Sequence, residues 1–189
     1  MDNLLIFYIT AGIVVLILVI IWVWYLINAN SFKKNKQNIA DLMIDIDDII
    51  VNKHNLLNLM IEQTKRSLAI EAKVLNEMLE IAVITNSDSV EQKQDISFQL
   101  TQSMHMLYEM ITEHKDLKTS KAIKEKLDDW IILEESLQST RKLYNTNVSS
   151  FNHKIVAFPS NIIAKIKKYK RIDFFEVDIL LTKEEVDSL

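Results

Sequence analysis

Carboxylates and imidazoles are the first side chains to weigh for catalysis or metal binding. Asp41, Asp45 and Asp48 line one face of a helical register, and clustered carboxylates are what hard divalent cations want. His105 and Glu109 stand at i and i+4, with Glu113 beyond. His54, His114 and His153 form no spaced set with them, and zinc needs three or four ligands. Both groups read as solvated helix faces, so no metal is expected. The chain has no Cys, which excludes disulfides, thiolate metal sites and cysteine nucleophiles. Its one glycine, Gly12, lies in an apolar run. A Gly-rich phosphate loop or a nucleophile elbow is therefore ruled out, and no Ser-His-acid order has supporting spacing. The expectation is a non-enzyme with no cofactor and no small-molecule substrate.

Other polar residues suit contact better than chemistry. Asn145 and Asn152 are seven apart, and each follows an aromatic residue, Tyr144 and Phe151. A heptad of aromatic-Asn pairs sets both amides on one edge of a buried stripe, where they would bond across helices and fix register. A polar ligand groove is the alternative. Glu134 and Arg141, also seven apart, read as ion-pair partners of neighbouring helices. Lys165, Lys167, Lys168, Lys170 and Arg171 form a dense basic cluster. If the third helix leads away from the apolar run, this cluster is distal, and water or an acidic protein outranks lipid as its neighbour. The net charge of −4, with acids and bases mixed, excludes the broad basic surface of a nucleic-acid binder.

The elements that position these residues must be helices. A sheet protein needs glycine at its tight turns, and nothing after residue 30 is glycine; the single proline is Pro159. From Ile39 the apolar residues recur at steps of three and four through Ile46, Ile50, Leu57 and Met60 and on to Leu68, Leu75 and Ala82. Lys53 and Thr64 read as interruptions of this stripe. The first helix is expected to stop near Asn86-Ser87-Asp88, with Ser89 and Gln92 as the capping box of a second helix carrying Ile96, Leu100, Met104, Leu107 and Ile111. A turn around Lys115-Asp116-Leu117-Lys118 leads to Thr119 or Ser120 as N-cap of a third. The third helix shows the cleanest stripe, from Ile123, Leu127 and Trp130 to Phe151, Ile155 and Phe158. Pro159 closes it, and Ser160 is expected to cap a short fourth helix over about 161–169. Short connections imply antiparallel neighbours, hence a bundle of coiled-coil type. A second helix of this length covers the first only in part, so Ile39 to Ile50 must be covered by the C-terminal tail or by another subunit.

Leu4 to Ile27 carries no charge. Its 24 residues span roughly 36 Å, enough to cross a bilayer core of about 30 Å with tilt. Phe7 and Tyr8 at one end, and Trp22, Trp24 and Tyr25 at the other, suit interfacial anchors. Ala29-Asn30-Ser31 loosely resembles a cleavage site. The run is much longer than a signal-peptide core, however, and no Lys or Arg precedes it, so an uncleaved anchor is expected. Lys33, Lys34 and Lys36 come just after the run, which predicts the N-terminus outside and the large domain in the cytoplasm of a single-pass membrane protein.

The third helix reads Glu134-x6-Arg141-Lys142-x-Tyr144-Asn145-x2-Val148-x2-Phe151-Asn152-x2-Ile155-x2-Phe158-Pro159. This pattern resembles the LemA family of bacterial membrane-anchored proteins. His114 to Lys118 matches the segment before that block, Phe174-Phe175-Glu176 its closing aromatic-Glu element, and the stretch from Ile46-Asp47 its upstream block. There the family's twin Arg falls on Asn52-Lys53 and its Pro-Asn on Asn58-Leu59. The resemblance implies a long helical bundle with no established catalytic residues. It makes Glu134, Arg141, Tyr144, Asn145, Phe151, Asn152 and Pro159 the candidate structural or interaction residues.

The expected architecture is all-α. An extracytoplasmic N-terminus and transmembrane helix (1–30) precede an antiparallel bundle of three main helices and a short C-terminal one (31–171), then a loosely packed tail (172–189). The expected role is a scaffold, adaptor or regulator at the membrane, with a protein partner or self-association. The alternative is a tethered sensor holding a small ligand between helices near Asn145 and Asn152.

Overall fold

The computed structural model describes residues 2–67, 89–114, 117 and 120–176. Among these residues the chain forms four helices and no strand: α1 (Asp2–Ser67), α2 (Val90–Glu113), α3 (Lys121–Val156) and α4 (Ser160–Ile166). The expected first-helix stop near residue 86, the stripe beyond Ser67, the turn at 115–116 and 118–119, and the tail beyond residue 176 lie outside the described residues. α2 begins with the capping box expected at Ser89 and Gln92. The Ser89 hydroxyl accepts from the Gln92 N–H (3.2 Å), and the Gln92 amide oxygen accepts from the Ser89 N–H (2.7 Å). Two of the helix's orphan donors are thereby satisfied. α3 starts directly after Ser120.

The described chain divides into two compact units, one built from Met1–Ala40 with Asn147–Ile172 and the other from Asp41–Thr146 with Asp173–Leu189. In the second unit, α3 runs antiparallel to α1, with Glu134 beside Lys53, and antiparallel to α2, with Glu134 beside Thr101. α1 and α2 ascend together instead, Asp47 opposite Lys93 and Lys53 opposite Thr101. Adjacent antiparallel packing, expected for these two from a short turn, does not describe them. This arrangement answers how the stretch to Ile50 is covered: the first turn of α2 lies beside Asp47, and Ile46 and Ile50 are buried. The core of this unit joins them to Leu57, Met60, Leu100, Met104, Leu107, Trp130 and Leu137. Ile96, expected in the same stripe, is only half-buried.

In the first unit, α1 and α3 are again antiparallel. The Asn35 amide donates to Ser150 Oγ (3.4 Å), and Lys154 Nζ donates to Ser31 Oγ (2.8 Å). Phe32, Phe151 and Tyr169 form a trio with ring centroids 5.2 to 5.7 Å apart. Every residue from Ile6 to Val23 is exposed. This stretch of α1 has an 18-residue window of mean hydropathy 2.9, long and apolar enough to cross a membrane.

The end of α3 departs from the expected pattern. The helix stops at Val156, Ile155 is half-buried, and Phe158 is 81% exposed, ahead of a cis peptide bond to Pro159. Phe158 lies past the last helical turn and so leaves the stripe. Ser160 does not cap α4, whose N-cap is Pro159 with no side-chain bond. The Ser160 hydroxyl instead lies 2.8 and 3.0 Å from the carbonyls of Lys154, in the last turn of α3, and Ala157, which also accepts from the Asn161 N–H. α4 ends in a Schellman motif: the Tyr169 N–H donates to Ala164 O, the Lys168 N–H to Lys165 O, and Lys168 adopts φ 53. A lysine does here what glycine ordinarily does.

Candidate functional site

Two polar constellations stand out, both within the second unit. The first is interior. Lys53, at 0% exposure, projects from α1 and donates to Glu134 of α3 and to Thr101 Oγ1 of α2 (2.8 Å). The Thr101 hydroxyl lies 3.0 Å from both Glu134 Oε1 and the Ser97 carbonyl, so its one proton goes to either. The Lys53 ammonium also sits 4.7 Å from the centre of the Trp130 ring, within cation–π range. Burial pushes the Lys53 pKa down, and the charge and hydrogen bond of Glu134 oppose the shift. A second pair, Lys93 with Asp47 at 2.6 Å, ties α2 to α1. Three helices thus meet through charges in the middle of an apolar core. Ser97 Oγ, Thr64 Oγ1 and Trp130 Nε1 are also buried in this unit, with no hydrogen-bond partner among the described residues.

The second constellation grips the segment after α4. Asn145 pairs with the backbone of Phe175 in both directions, its amide donating to Phe175 O and its carbonyl accepting from Phe175 N–H, each at 2.8 Å. The Tyr144 hydroxyl donates to Asp173 O (3.1 Å), and the Gln94 amide to Glu176 O (2.8 Å). Phe175 is fully buried. Burial, and then the charge of Asp173, raise the Tyr144 pKa to about 12. In the first unit, Asn152 repeats the pairing with Ile172, at 2.8 and 3.0 Å. The two amides therefore bind extended backbone and not another helix, and residues 172–176 are strapped down where a loose tail was expected.

The model of the LemA family matches residues 43–187. The chain belongs to the LemA family. No curated protein matches it.

In this LemA-family chain the other singled-out residues take varied places. Glu134 is the buried acid of the interior pair, and Arg141, two turns on, is half-buried. Phe151 is in the aromatic trio, and Pro159 is exposed. His105 and Glu109 form an i,i+4 contact at 3.5 Å, and no group of three metal-ligating side chains occurs among the described residues. Asp41, Asp45 and Asp48 are exposed. The basic cluster is not distal from the apolar run: Tyr169, inside it, stacks on Phe32 at 5.2 Å. The antiparallel course of α3 returns the chain to that level.

Sequence reasoning missed Lys53 as a member of the buried polar constellation. Its signal was phase: Ile46, Ile50, Lys53, Leu57 and Met60 keep steps of three and four without a break, which places the lysine inside the stripe.

Proposed function

We propose that this LemA-family protein is a single-pass, membrane-anchored helical bundle that works by contact, as a scaffold, adaptor or regulator at the bacterial cell membrane, and catalyses nothing. The N-terminus is outside and the bundle is cytoplasmic. The observation that carries the reading is the stretch from Ile6 to Val23, apolar and exposed on every side. A helix that is apolar all round suits lipid and not water. Lys33, Lys34 and Lys36, all exposed just beyond it, favour the cytoplasmic side for the rest of the chain.

A contact role is further supported by where the polar groups are directed. Asn145 and Asn152, on which a ligand sensor would depend, are taken up by the chain's own backbone. The second unit instead carries an open groove of about 350 Å³ lined by Leu56, Leu59, Ile132 and Leu133 together with Asn52, Asn55 and Asp129. Leu59 and Ile132 are 62% and 60% exposed, the kind of apolar surface that protein partners cover. Photo-crosslinkers at positions 59 and 132, used in native membranes, should give discrete protein adducts that Leu59→Glu removes. Adducts to lipid alone, or none, would contradict the contact role.

A further inference from the structure

Within the first unit, the basic cluster and a set of exposed apolar side chains gather at the C-terminal end of the uncharged run. The pairings of Asn35 with Ser150 and Lys154 with Ser31 fix the register of α3 against α1. That register carries Val156, the end of α3, to about the level of Ala29, two residues from the end of the run, and Phe158 follows in the turn. Phe158 is 81% exposed. One turn further on, Ile162 and Ile166, at i and i+4 of α4, are also exposed, while Ile163 and Ala164 on the opposite face are buried. The charges come immediately after. Lys165, Lys167, Lys168, Lys170 and Arg171 are all exposed, and the Schellman turn at Lys168 holds them by seating Tyr169 on Phe32. Lys33, Lys34 and Lys36 of α1 stand beside Phe32, exposed as well. The sole acidic residue in this unit's sequence is Asp2, at the far end of α1.

Asp41 and Asp173, both exposed, come just after this unit's two segments, so the patch carries a large excess of positive charge. A surface that combines protruding apolar side chains with such an excess matches the boundary of an anionic bilayer, where apolar groups enter the acyl region and Lys and Arg meet phosphates. We infer that Phe158, Ile162 and Ile166, ringed by Lys165 to Arg171 and Lys33 to Lys36, form a second membrane contact that docks on anionic lipid headgroups. Water alone would favour neither the exposed Phe158 nor the crowding of so many like charges. An acidic protein segment would satisfy the charges but leave Phe158, Ile162 and Ile166, near the end of the span, without a function. The inference rests on the anchored reading above, and it deepens it: α4 and the end of α3 are held against the membrane beside the span.

The test uses the full chain, which has no native cysteine. Single-cysteine variants Phe158→Cys, Val15→Cys and Ser139→Cys carry a fluorophore in liposomes containing nitroxide-labelled lipid. The liposomes are of phosphatidylcholine, with or without phosphatidylglycerol. Position 15 should be quenched in both membranes and position 139 in neither. Position 158 should be quenched severalfold more with phosphatidylglycerol, and less at high salt or when Lys165, Lys167, Lys168 and Lys170 are changed to Glu. The lipid and salt comparisons need no charge variant, so they decide the matter even if that variant misfolds. Quenching at 15 without quenching at 158 overturns the inference and leaves the patch to an acidic polypeptide. No quenching at 15 overturns the anchor reading as well.

Discussion

A lysine with no exposed surface persists in a core only if a partner holds its charge, and Glu134 is that partner for Lys53. Removing one member of a buried pair leaves the other charge stranded, at a cost of about 3–5 kcal/mol, whereas replacing both by apolar residues is often neutral or better. Lys53→Met should therefore lower unfolding stability by about that amount, and Lys53→Met with Glu134→Leu should recover most of it, as measured by urea titration. A loss in the double variant equal to the sum of the losses in Lys53→Met and Glu134→Leu alone would show that the pair is not coupled. Tyr144 makes a pH prediction. Its phenol stays protonated in the fold up to about 12, while the unfolded chain ionises near the ordinary value of 10.0. Its contribution is thus full below pH 10 and is lost as pH rises through 12. The melting temperature should fall more steeply between pH 10 and 12 in the natural chain than in Tyr144→Phe. These residues were only partly legible. Glu134 could be named from its motif, but Lys53 was passed over because polarity was weighed above phase, and no sequence pattern pairs residues 81 positions apart.

At the level of elements, a sequence without glycine after residue 12 required helices, and helices are what the described residues form. The turns were harder to read. Nothing local marks Lys168 as the left-handed residue that ends α4, because any non-glycine residue there costs about 1–2 kcal/mol. Lys168→Gly should accordingly raise stability by about 1 kcal/mol in thermal unfolding, and a loss would mean that the turn is held by the lysine side chain. The strap was hidden for a related reason. Asn145 and Asn152 at heptad spacing look the same whether they face a helix or extended backbone, and only tertiary packing brings residues 172–176 to them. Asn145→Leu removes both bonds to Phe175. It should speed amide exchange at Phe175 markedly and cost about 1–3 kcal/mol; unchanged protection at Phe175 would show that burial of its ring alone holds the segment.

At the scale of the whole molecule, the two units share α1 and α3, and the apolar stretch belongs to the first while the buried ion pairs belong to the second. The uncharged run was plain in the sequence because lipid and water sort residues by composition alone. The side-by-side ascent of α1 and α2 was not, because direction depends on contacts far apart in the chain. Central to the membrane reading is that α1 crosses the bilayer once, with everything after Ser31 on the cytoplasmic side. Single cysteines at Asn3 and Ser139, probed in intact cells with a maleimide that cannot cross membranes, test it directly. Labelling is expected at position 3 without lysis and at position 139 only after the membrane is opened. Labelling of position 139 in intact cells would contradict it.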